Sequence, residues 1–503
     1  MSEISRRSFL SRLAAGAAAG ALSSSTRPVP GRPAQKAGAK PNIIFIMADD
    51  LGIGHLGCYG QELIKTPNID RIATEGLRFT QCYSGSTVCA PSRSCLMTGM
   101  HTGHTTVRGN SARQGVGQAV KAPGGWRVPL RAEDVTVAEV LKGAGYATGI
   151  VGKWGLGEPE TLGHPNRQGF DYWFGYLNQQ RAHEYYTDYL WRNHEKFTLE
   201  GNQAEPKTDY AHDLFTKEGL DFVRRHREGP FFLYFAYTIP HGKYQCPTME
   251  PYADESWPDE QKTFAAMVDR LDRDVGKLMA LLKELGIDEN TIVFFTSDNG
   301  SATKDGEWAR FKGTGPFRGK KGDLYEGGIR TPMIVRWPGK IGPGTESDQV
   351  WAFWDFLPTA AEIAGLSPKG TSPTPASGGR SAKGAPSERP KGPQGPPALD
   401  GISVLPALLG RKQESHEFLY WEIGSPRLRQ AVRMGDWKAV RAGPKEPLEL
   451  YDLKTDIGET HNVADKYPDV VAKIEAYLQT ARTDSQYWPV RKSQPRKESK
   501  KKQ

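Results

Sequence analysis

The sequence predicts an α/β fold, in which a large mixed, mostly parallel sheet is sandwiched by helices and a small C-terminal antiparallel sheet packs with a helix. Short, continuously apolar runs of the kind found in buried parallel strands alternate with helical patterns through the first part of the chain. Beyond residue 400, short alternating segments precede a last helical pattern, and these predict the small sheet and its helix.

The individual elements follow from the same patterns. Apolar runs predict strands at 42–47, 149–151, 231–237 and 291–296. Three- and four-residue spacing of apolar residues predicts helices near 66–76 and 134–144, and most clearly from Phe264 to Leu282. In the C-terminal part, the predicted strands are 418–421 and 430–433 and the predicted helix is 467–482. The alternation implies helices on both faces of the large sheet.

Composition divides the 503 residues into segments. Residues 1–39 are predicted to be a twin-arginine signal peptide and linker, because Arg6 and Arg7 precede a weakly apolar stretch; the alternative is a disordered start that happens to hold two arginines. The segments predicted after it are a large α/β domain at 40–366, a disordered Pro/Gly/Ser-rich insertion at 367–398, a small α+β subdomain at 399–490 and a basic tail at 491–503.

The net charge of +8 does not indicate nucleic-acid binding, because residues 1–40 and 491–503 each contain seven Lys or Arg and one Glu. The chain between these ends is mildly acidic. The apolar stretch after the two arginines is too short to span a bilayer, and no other uninterrupted apolar run is long enough. We therefore expect export by the twin-arginine machinery to the periplasm or the cell exterior, without stable membrane insertion.

The segment Cys89-Ala90-Pro91-Ser92-Arg93 leads into a predicted helix at 92–99. At a helix N-terminus, backbone N–H groups and the helix dipole are expected to favour an anion and activate a thiol. The five cysteines are too few for a disulfide scaffold, and their odd number leaves at least one unpaired in a monomer, for which Cys89 is the candidate. The alternative is a small buried cysteine beside a helix cap.

Polar residues suited to binding or catalysis follow the four predicted strands of the large sheet. They are Asp49 and Asp50, Lys153, His241, and Asp298 with Asn299. Because ligands of open α/β sheets bind beyond the carboxyl ends of the strands, we expect these side chains to converge with Cys89 in one cleft. Taken singly, each has an ordinary explanation, such as a tight turn, a helix cap, a loop histidine or a solvated lysine.

The residue types predict a divalent cation beside an oxyanion. Three carboxylates and one amide are hard oxygen ligands, which favours Ca²⁺ or Mg²⁺ over a transition metal. A cation flanked by Lys153, Arg93 and a helix N-terminus is suited to an anion with several oxygens, such as sulfate or phosphate.

With these residues the sequence resembles the type I sulfatase family, which is formylglycine-dependent and arylsulfatase-like, of the alkaline phosphatase superfamily; the pattern is most similar to bacterial carbohydrate sulfatases. The matching blocks are ADDLG at 48–52, CAPSR at 89–93, LMTG at 96–99, GKW at 152–154, PH at 240–241, SDNG at 297–300 and KGDLYEGG at 321–328. They occur in the family's order, and the segments 400–401 and 450–453 resemble its C-terminal part. The resemblance implies a sulfuric ester hydrolase whose catalytic domain is 40–366.

The resemblance also implies that a formylglycine-generating maturation enzyme oxidises Cys89 to formylglycine, with Pro91 and Arg93 as its recognition signal. One hydroxyl of the hydrated aldehyde would attack sulfur, and the sulfated adduct would then collapse and release sulfate. The implied catalytic set is Cys89, Arg93 to steady the diol, Lys153 and Lys321 to hold sulfate oxygens, and His241 to protonate the departing alcohol. The implied ligands of one Ca²⁺, or less favourably Mg²⁺, are Asp49, Asp50, the modified Cys89, Asp298 and Asn299.

One position departs from the family pattern. The family commonly has a histidine two residues after its catalytic lysine, and this chain has Gly155 there. His104 and His183 are the candidates to take over its role. The aromatic-rich stretch 170–191 predicts a sugar-binding surface, and we expect His104, Arg181 and His183 to contact a sulfated glycan or monosaccharide; a well-packed loop is the alternative.

Two other functions remain open from the sequence. One is a phosphate or phosphonate monoester or diester hydrolase of the same superfamily. The other is a non-catalytic glycan-binding homologue, which requires that Cys89 stays unmodified.

Overall fold

A computed structural model describes residues 40–490, except 304, 369–398 and 425–426. The predictions of a signal peptide and linker, of a disordered insertion beyond residue 368 and of a basic tail therefore lie outside the described residues. None of the helices in the described part of the chain is both long and apolar enough to cross a membrane.

Strands and helices alternate as the apolar pattern predicts. The strands are β1 (Asn42–Ala48), β2 (Leu77–Tyr83), β3 (Val120–Ala122), β4 (Gly125–Arg127), β5 (Ala147–Lys153), β6 (Tyr172–Tyr176), β7 (Tyr189–Arg192), β8 (Glu195–Thr198), β9 (Phe231–Ala236), β10 (Thr291–Ser297), β11 (Arg330–Arg336), β12 (Thr345–Ser347), β13 (Trp351–Ala352), β14 (Leu419–Ile423), β15 (Arg429–Met434), β16 (Trp437–Arg441) and β17 (Glu449–Asp452). The helices are α1 (Pro67–Thr74), α2 (Cys89–Thr98), α3 (Val137–Gly143), α4 (Ala211–His226), α5 (Asp259–Glu284), α6 (Glu326–Ile329), α7 (Phe356–Ile363), α8 (Leu405–Leu408) and α9 (Pro468–Leu478). The predicted elements are all among them, with ends shifted by a few residues.

The large sheet is mixed and parallel at its centre, as predicted. Its eleven strands run in the order β12-β2-β11-β10-β1-β9-β5-β6-β7-β8, with β13 also paired to β2. The five central strands from β10 to β6 pair in parallel. Antiparallel pairs extend the sheet at both sides, through β11 and β2 on one side and β7 and β8 on the other. The parallel centre brings the carboxyl ends of β10, β1, β9 and β5 to one edge.

Helices cover both faces of this sheet because β1 is apolar on both faces. Ile44 and Ile46 belong to one buried cluster, which also contains residues of α5 such as Met267. Phe45 alternates with them and belongs to the other cluster, together with Phe356 of α7. Fully burying a side chain of this size stabilises the fold by about 1.5–3 kcal/mol. The alternation of faces along one strand therefore holds both helical layers on the sheet.

The small C-terminal sheet is antiparallel, in the order β14-β15-β16-β17, and packs with a helix as predicted. One of its faces packs against α9, where Tyr420 and Val432 share a buried cluster with Ile474. The other face carries Trp421, which shares a cluster with Tyr83 of β2. The sheet thus lies between its own helix and residues of the large domain.

Candidate active site

The carboxyl ends of three parallel strands bring the predicted acidic and basic residues together. Asp49 and Asp50 follow β1 directly, Lys153 is the last residue of β5, and Asp298 follows β10. Asp50 has φ 65°, a left-handed conformation that is uncommon outside glycine but that aspartate and asparagine adopt more readily than other residues. Its backbone N–H donates to Asp298 Oδ1 at 3.2 Å. The residue after the neighbouring strand β10 therefore holds this turn in place.

Cys89 is the first residue of α2, and every residue of this helix is buried. Its Sγ donates to Asp49 Oδ1 at 3.5 Å. Burial, together with the Asp49 carboxylate, raises the pKa of the thiol to about 12. The prediction that the helix start activates this thiol is therefore wrong, because burial and a neighbouring negative charge outweigh the helix dipole. The alternative of a buried cysteine describes the unmodified side chain correctly, but the cysteine lies among charged groups and not in an apolar core.

The acidic residues and the amide form one buried cluster. Asp49, Asp50, Asp298 and Asn299 are each at most 5% exposed. Asn299 Nδ2 donates to Asp50 Oδ1 at 2.8 Å and to the Gly300 carbonyl at 2.9 Å. This orientation leaves Asn299 Oδ1 buried without a hydrogen-bond partner. An orphaned amide oxygen beside three carboxylates is a set of hard oxygen donors, so these residues fit a Ca²⁺ or Mg²⁺ ion.

Three cations interleave with the three carboxylates. Lys153 Nζ lies 2.5 Å from Asp49 Oδ2, and Lys321 Nζ lies 2.7 Å from Asp50 Oδ2. Arg93, which is 1% exposed, donates from Nη2 to Asp298 Oδ2 at 2.8 Å and contacts Asp49 at 3.4 Å. Such pairs offset the large cost of burying charge.

The carboxylates are not equally compensated. Although burial by itself raises the pKa of Asp49, Lys153 and the neighbouring cations hold that pKa well below its usual range. Burial and the charge of Asp49 raise the pKa of Asp298 to about 7. A divalent cation at this position would remove that penalty, since it favours the ionised carboxylate.

Two stacked imidazoles lie on the same site. The rings of His183 and His241 are 3.8 Å apart between centroids, with an interplanar angle of 15°. His241 Nε2 is 3.4 Å from Asp50 Oδ2, and its Nδ1 pairs with the Gly242 carbonyl. Burial lowers the pKa of His241, and burial together with Lys153 lowers the pKa of His183 to about 3. His183 Nε2 is buried without a hydrogen-bond partner, so this nitrogen is left able to make one further hydrogen bond.

The two other residues predicted to contact substrate, His104 and Arg181, do not belong to the buried cluster around Cys89. His104 belongs to a second cluster, in which its Nδ1 is 2.9 Å from Asp400 Oδ1 and its ring stacks on His101. Arg181 lies at the start of the short turn 181–183 that carries His183. Its guanidinium pairs with Asp188 and lies 3.9 Å from the centroid of the Tyr189 ring.

Gly155 has a structural reason to lack a side chain. Its φ of 77° is left-handed, and a Cβ at this position would lie 2.5 Å from Gln179 Oε1. Gln179 thus fills the space that a side chain at 155 would need. Both polar atoms of the Gln179 amide are buried without a hydrogen-bond partner. Sequence patterns did not single out this residue, because no local motif connects it with a glycine at 155.

Comparison with known proteins places this arrangement in a family. The sequence matches the family described as Sulfatase over residues 41–366. It is 34% identical over 415 residues to N-acetylgalactosamine-6-sulfatase of Canis lupus familiaris, which covers 79% of this chain and 71% of that protein. N-acetylgalactosamine-6-O-sulfatase of Bacteroides thetaiotaomicron is 30% identical over 522 residues, covering 88% of this chain and 93% of that protein.

Solved structures agree with this result. The crystal structure of Ps i-CgsB in complex with k-i-k-neocarrahexaose is similar with a TM-score of 0.71 at 27% identity, covering 90% of this chain and 95% of that chain. The predicted fold class and the predicted resemblance are therefore confirmed. The chain belongs to the sulfatase family and is a sulfuric ester hydrolase.

Proposed function

We propose that the protein hydrolyses sulfate esters of carbohydrates by means of a formylglycine made from Cys89 and a bound Ca²⁺ ion. The observation that carries this proposal is the convergence of Cys89, Asp49, Asp50 and His241, whose ligand atoms all lie within 4.8 Å of one another. The carbohydrate substrate rests on the relatives, two of which are named as sulfatases of N-acetylgalactosamine and one of which is solved with a neocarrahexaose.

Modification of Cys89 would supply the nucleophile that the unmodified thiol does not provide. A thiol with a pKa raised to about 12 is neutral at ordinary pH and is a poor nucleophile. A formylglycine at this position would supply a hydrated aldehyde oxygen as the nucleophile toward sulfur. Cys89, Pro91 and Arg93 form the segment that we propose a formylglycine-generating enzyme recognises. Export by the twin-arginine machinery remains a proposal from residues 1–39.

The four residues of the buried oxygen cluster would hold the cation. They are Asp49, Asp50, Asp298 and Asn299. Ca²⁺ accepts six to eight oxygen ligands in flexible geometry, which suits a set that mixes carboxylates with an amide. The ion would favour the ionised form of Asp298, whose pKa is raised, and polarise the oxygen nucleophile.

The basic residues would bind and orient the sulfate group. Lys153 Nζ contacts Asp49 and Lys321 Nζ contacts Asp50, two neighbouring residues of the cluster, and we assign both ammonium groups to oxygens of the sulfate group. Arg93 is held by Asp298 and orients the modified side chain one turn before it. His241 is the proposed acid for the departing alcohol. Its lowered pKa makes the protonated imidazole a readier proton donor.

Removal of one acidic ligand should abolish cation binding. In Asp298→Ala we expect the bound Ca²⁺ to fall by at least about tenfold, because a buried carboxylate ligand and its charge are both lost. The measurement is metal content per chain by mass spectrometry after dialysis. Asp254→Ala, at an exposed aspartate, is the matched control and should keep the wild-type content. Full Ca²⁺ content in Asp298→Ala would contradict the assignment of the site.

Paired substrates test the reaction itself. The matured protein should release sulfate from a sulfated monosaccharide and from 4-nitrophenyl sulfate much faster than it releases phosphate from the matching phosphate esters. The reason is that Asp49, Asp50, Asp298 and Asn299 form one buried cluster of hard oxygen ligands, which suits a single Ca²⁺ or Mg²⁺ ion and not the pair of zinc ions of a bimetallic phosphatase. Equal or faster phosphate release would favour a phosphate ester hydrolase. Hydrolysis of aryl sulfates with no turnover of any sulfated sugar would contradict the carbohydrate substrate alone.

A further inference from the structure

A cleft of about 290 Å³ opens beside the active site. Its walls come from the β3–β4 hairpin, the end of β6 and the β7–β8 hairpin. The residues used in the argument are Lys121, Glu158, Arg181, Tyr189, Trp191 and Lys196. This volume is at the lower end for ligand pockets and suits one sugar unit.

Two backbone segments connect the lining of the cleft with the reaction centre. Tyr176, which lines it, is paired in register with Lys153 across β5 and β6. The turn 181–183 connects the two places as well, because Arg181 faces the cleft and His183 stacks on His241. A substrate whose ester lies between the two catalytic lysines would therefore place a neighbouring sugar in this cleft.

The cleft has more positive than negative charge. In the described part of the chain, Lys121 and Lys196 have no carboxylate partner, and the Lys196 ammonium lies 4.8 Å from the centroid of the Tyr189 ring. Arg181 is compensated by Asp188. The one lining carboxylate, Glu158, accepts a hydrogen bond from Asn178 Nδ2 at 2.6 Å. Two lysines thus remain uncompensated at the mouth of an aromatic cleft.

We propose that this cleft is a subsite for an anionic sugar that is linked to the sugar whose sulfate ester is hydrolysed. The proposal rests on the proposed function. Lys121 and Lys196 would bind the anionic group, while Trp191 offers an aromatic surface to the sugar ring. A carboxylate and a second sulfate ester share this chemistry, and the substrates in the test distinguish them.

The test compares wild type with the double variant Lys121→Ala/Lys196→Ala on four substrates. These are 4-nitrophenyl sulfate and three disaccharides that carry the same cleavable sulfate and differ in the neighbouring sugar, which is neutral, carboxylated or sulfated. For the anionic disaccharides we expect KM to rise about three- to tenfold with kcat unchanged, since two exposed charge contacts are lost. The anionic substrate with the larger rise identifies the preferred group. The neutral disaccharide and the aryl sulfate should be unaffected.

The control is Lys340→Ala/Lys466→Ala, which removes two exposed lysines from other surfaces and should behave as wild type. The advantage of the anionic disaccharides in wild type should also shrink as salt is added, because exposed charges are screened. The subsite is refuted if the lining double variant leaves every KM unchanged or raises all of them equally. Either of these results, with sulfate still released by wild type, would refute the subsite and leave the proposed function standing. Absence of sulfate release by wild type from all four substrates would instead refute the proposed function and the subsite with it.

Discussion

Cys89→Ala should lose sulfate release by about 10⁴-fold or more in kcat while the protein stays folded. The proposed nucleophile derives from this side chain, and the nearby carboxylate oxygens of Asp49 and Asp50 are assigned to the cation. Lys153, Lys321 and Arg93 carry positive charge and bind anions but do not attack sulfur. The loss should therefore appear in kcat, with substrate binding retained. The measurement is steady-state sulfate release from 4-nitrophenyl sulfate with matured protein.

Cys95→Ala is the matched control for this variant. Cys95 lies in the same helix α2 and is also buried, but it belongs to the apolar cluster that includes Trp421. Its replacement by alanine removes one sulfur atom, as the replacement of Cys89 does. We expect a modest loss of stability and nearly full activity. A Cys89→Ala protein with activity within about tenfold of wild type would show that the reaction does not depend on this side chain.

Lys438→Ala should lower the free energy of unfolding by about 3–5 kcal/mol. Lys438 Nζ lies 2.8 Å from Glu326 Oε1 and 3.3 Å from Glu459 Oε1, and all three side chains are fully buried. Glu326 begins α6 in the large domain, and Lys438 lies in β16 of the small sheet. Removal of the lysine leaves the buried Glu459 carboxylate without its counter-charge, whereas Glu326 keeps an ion pair with Arg330 at 3.1 Å. Urea unfolding followed by tryptophan fluorescence measures the change.

The pH dependence separates this mechanism from loss of packing. Burial raises the pKa of Glu459 to about 7, above an unfolded value of about 4.3. Its contribution to stability is therefore fully present below about pH 4.3 and is lost as the pH rises through 7. Without Lys438 this loss should grow, so the deficit of the variant should be larger at pH 8 than at pH 5. A pH-independent deficit, or one no larger than that of the exposed control Lys454→Ala, would contradict the account.

The sequence predicts best those features that depend on local pattern. The buried strand β1 is a continuous apolar run, and the acidic residues at its end are read directly from the sequence. The parallel order of the sheet brings the strand ends together, so the convergence of Asp49, Lys153 and Asp298 follows from topology. Helix α5 follows from apolar spacing alone.

Features that depend on distant contacts could not be predicted. Strands β2 and β11 pair across more than 240 residues, as the register of Tyr83 opposite Arg330 illustrates. The pairing of His104 with Asp400 joins residues 296 positions apart, and no local signal indicates it. The local rule for helix N-termini predicts an activated thiol at Cys89, but burial and the Asp49 carboxylate that follows β1 oppose its ionisation. The contact of Gln179 with Gly155 likewise joins residues that no local motif connects.

The mass of the peptide that contains Cys89, taken from purified protein that releases sulfate, tests the central claim most directly. Conversion of the thiol to an aldehyde replaces H₂S by one oxygen atom. We predict a peptide lighter by that difference in active preparations, with its abundance proportional to activity. Active protein in which only the unmodified thiol is found would contradict the account.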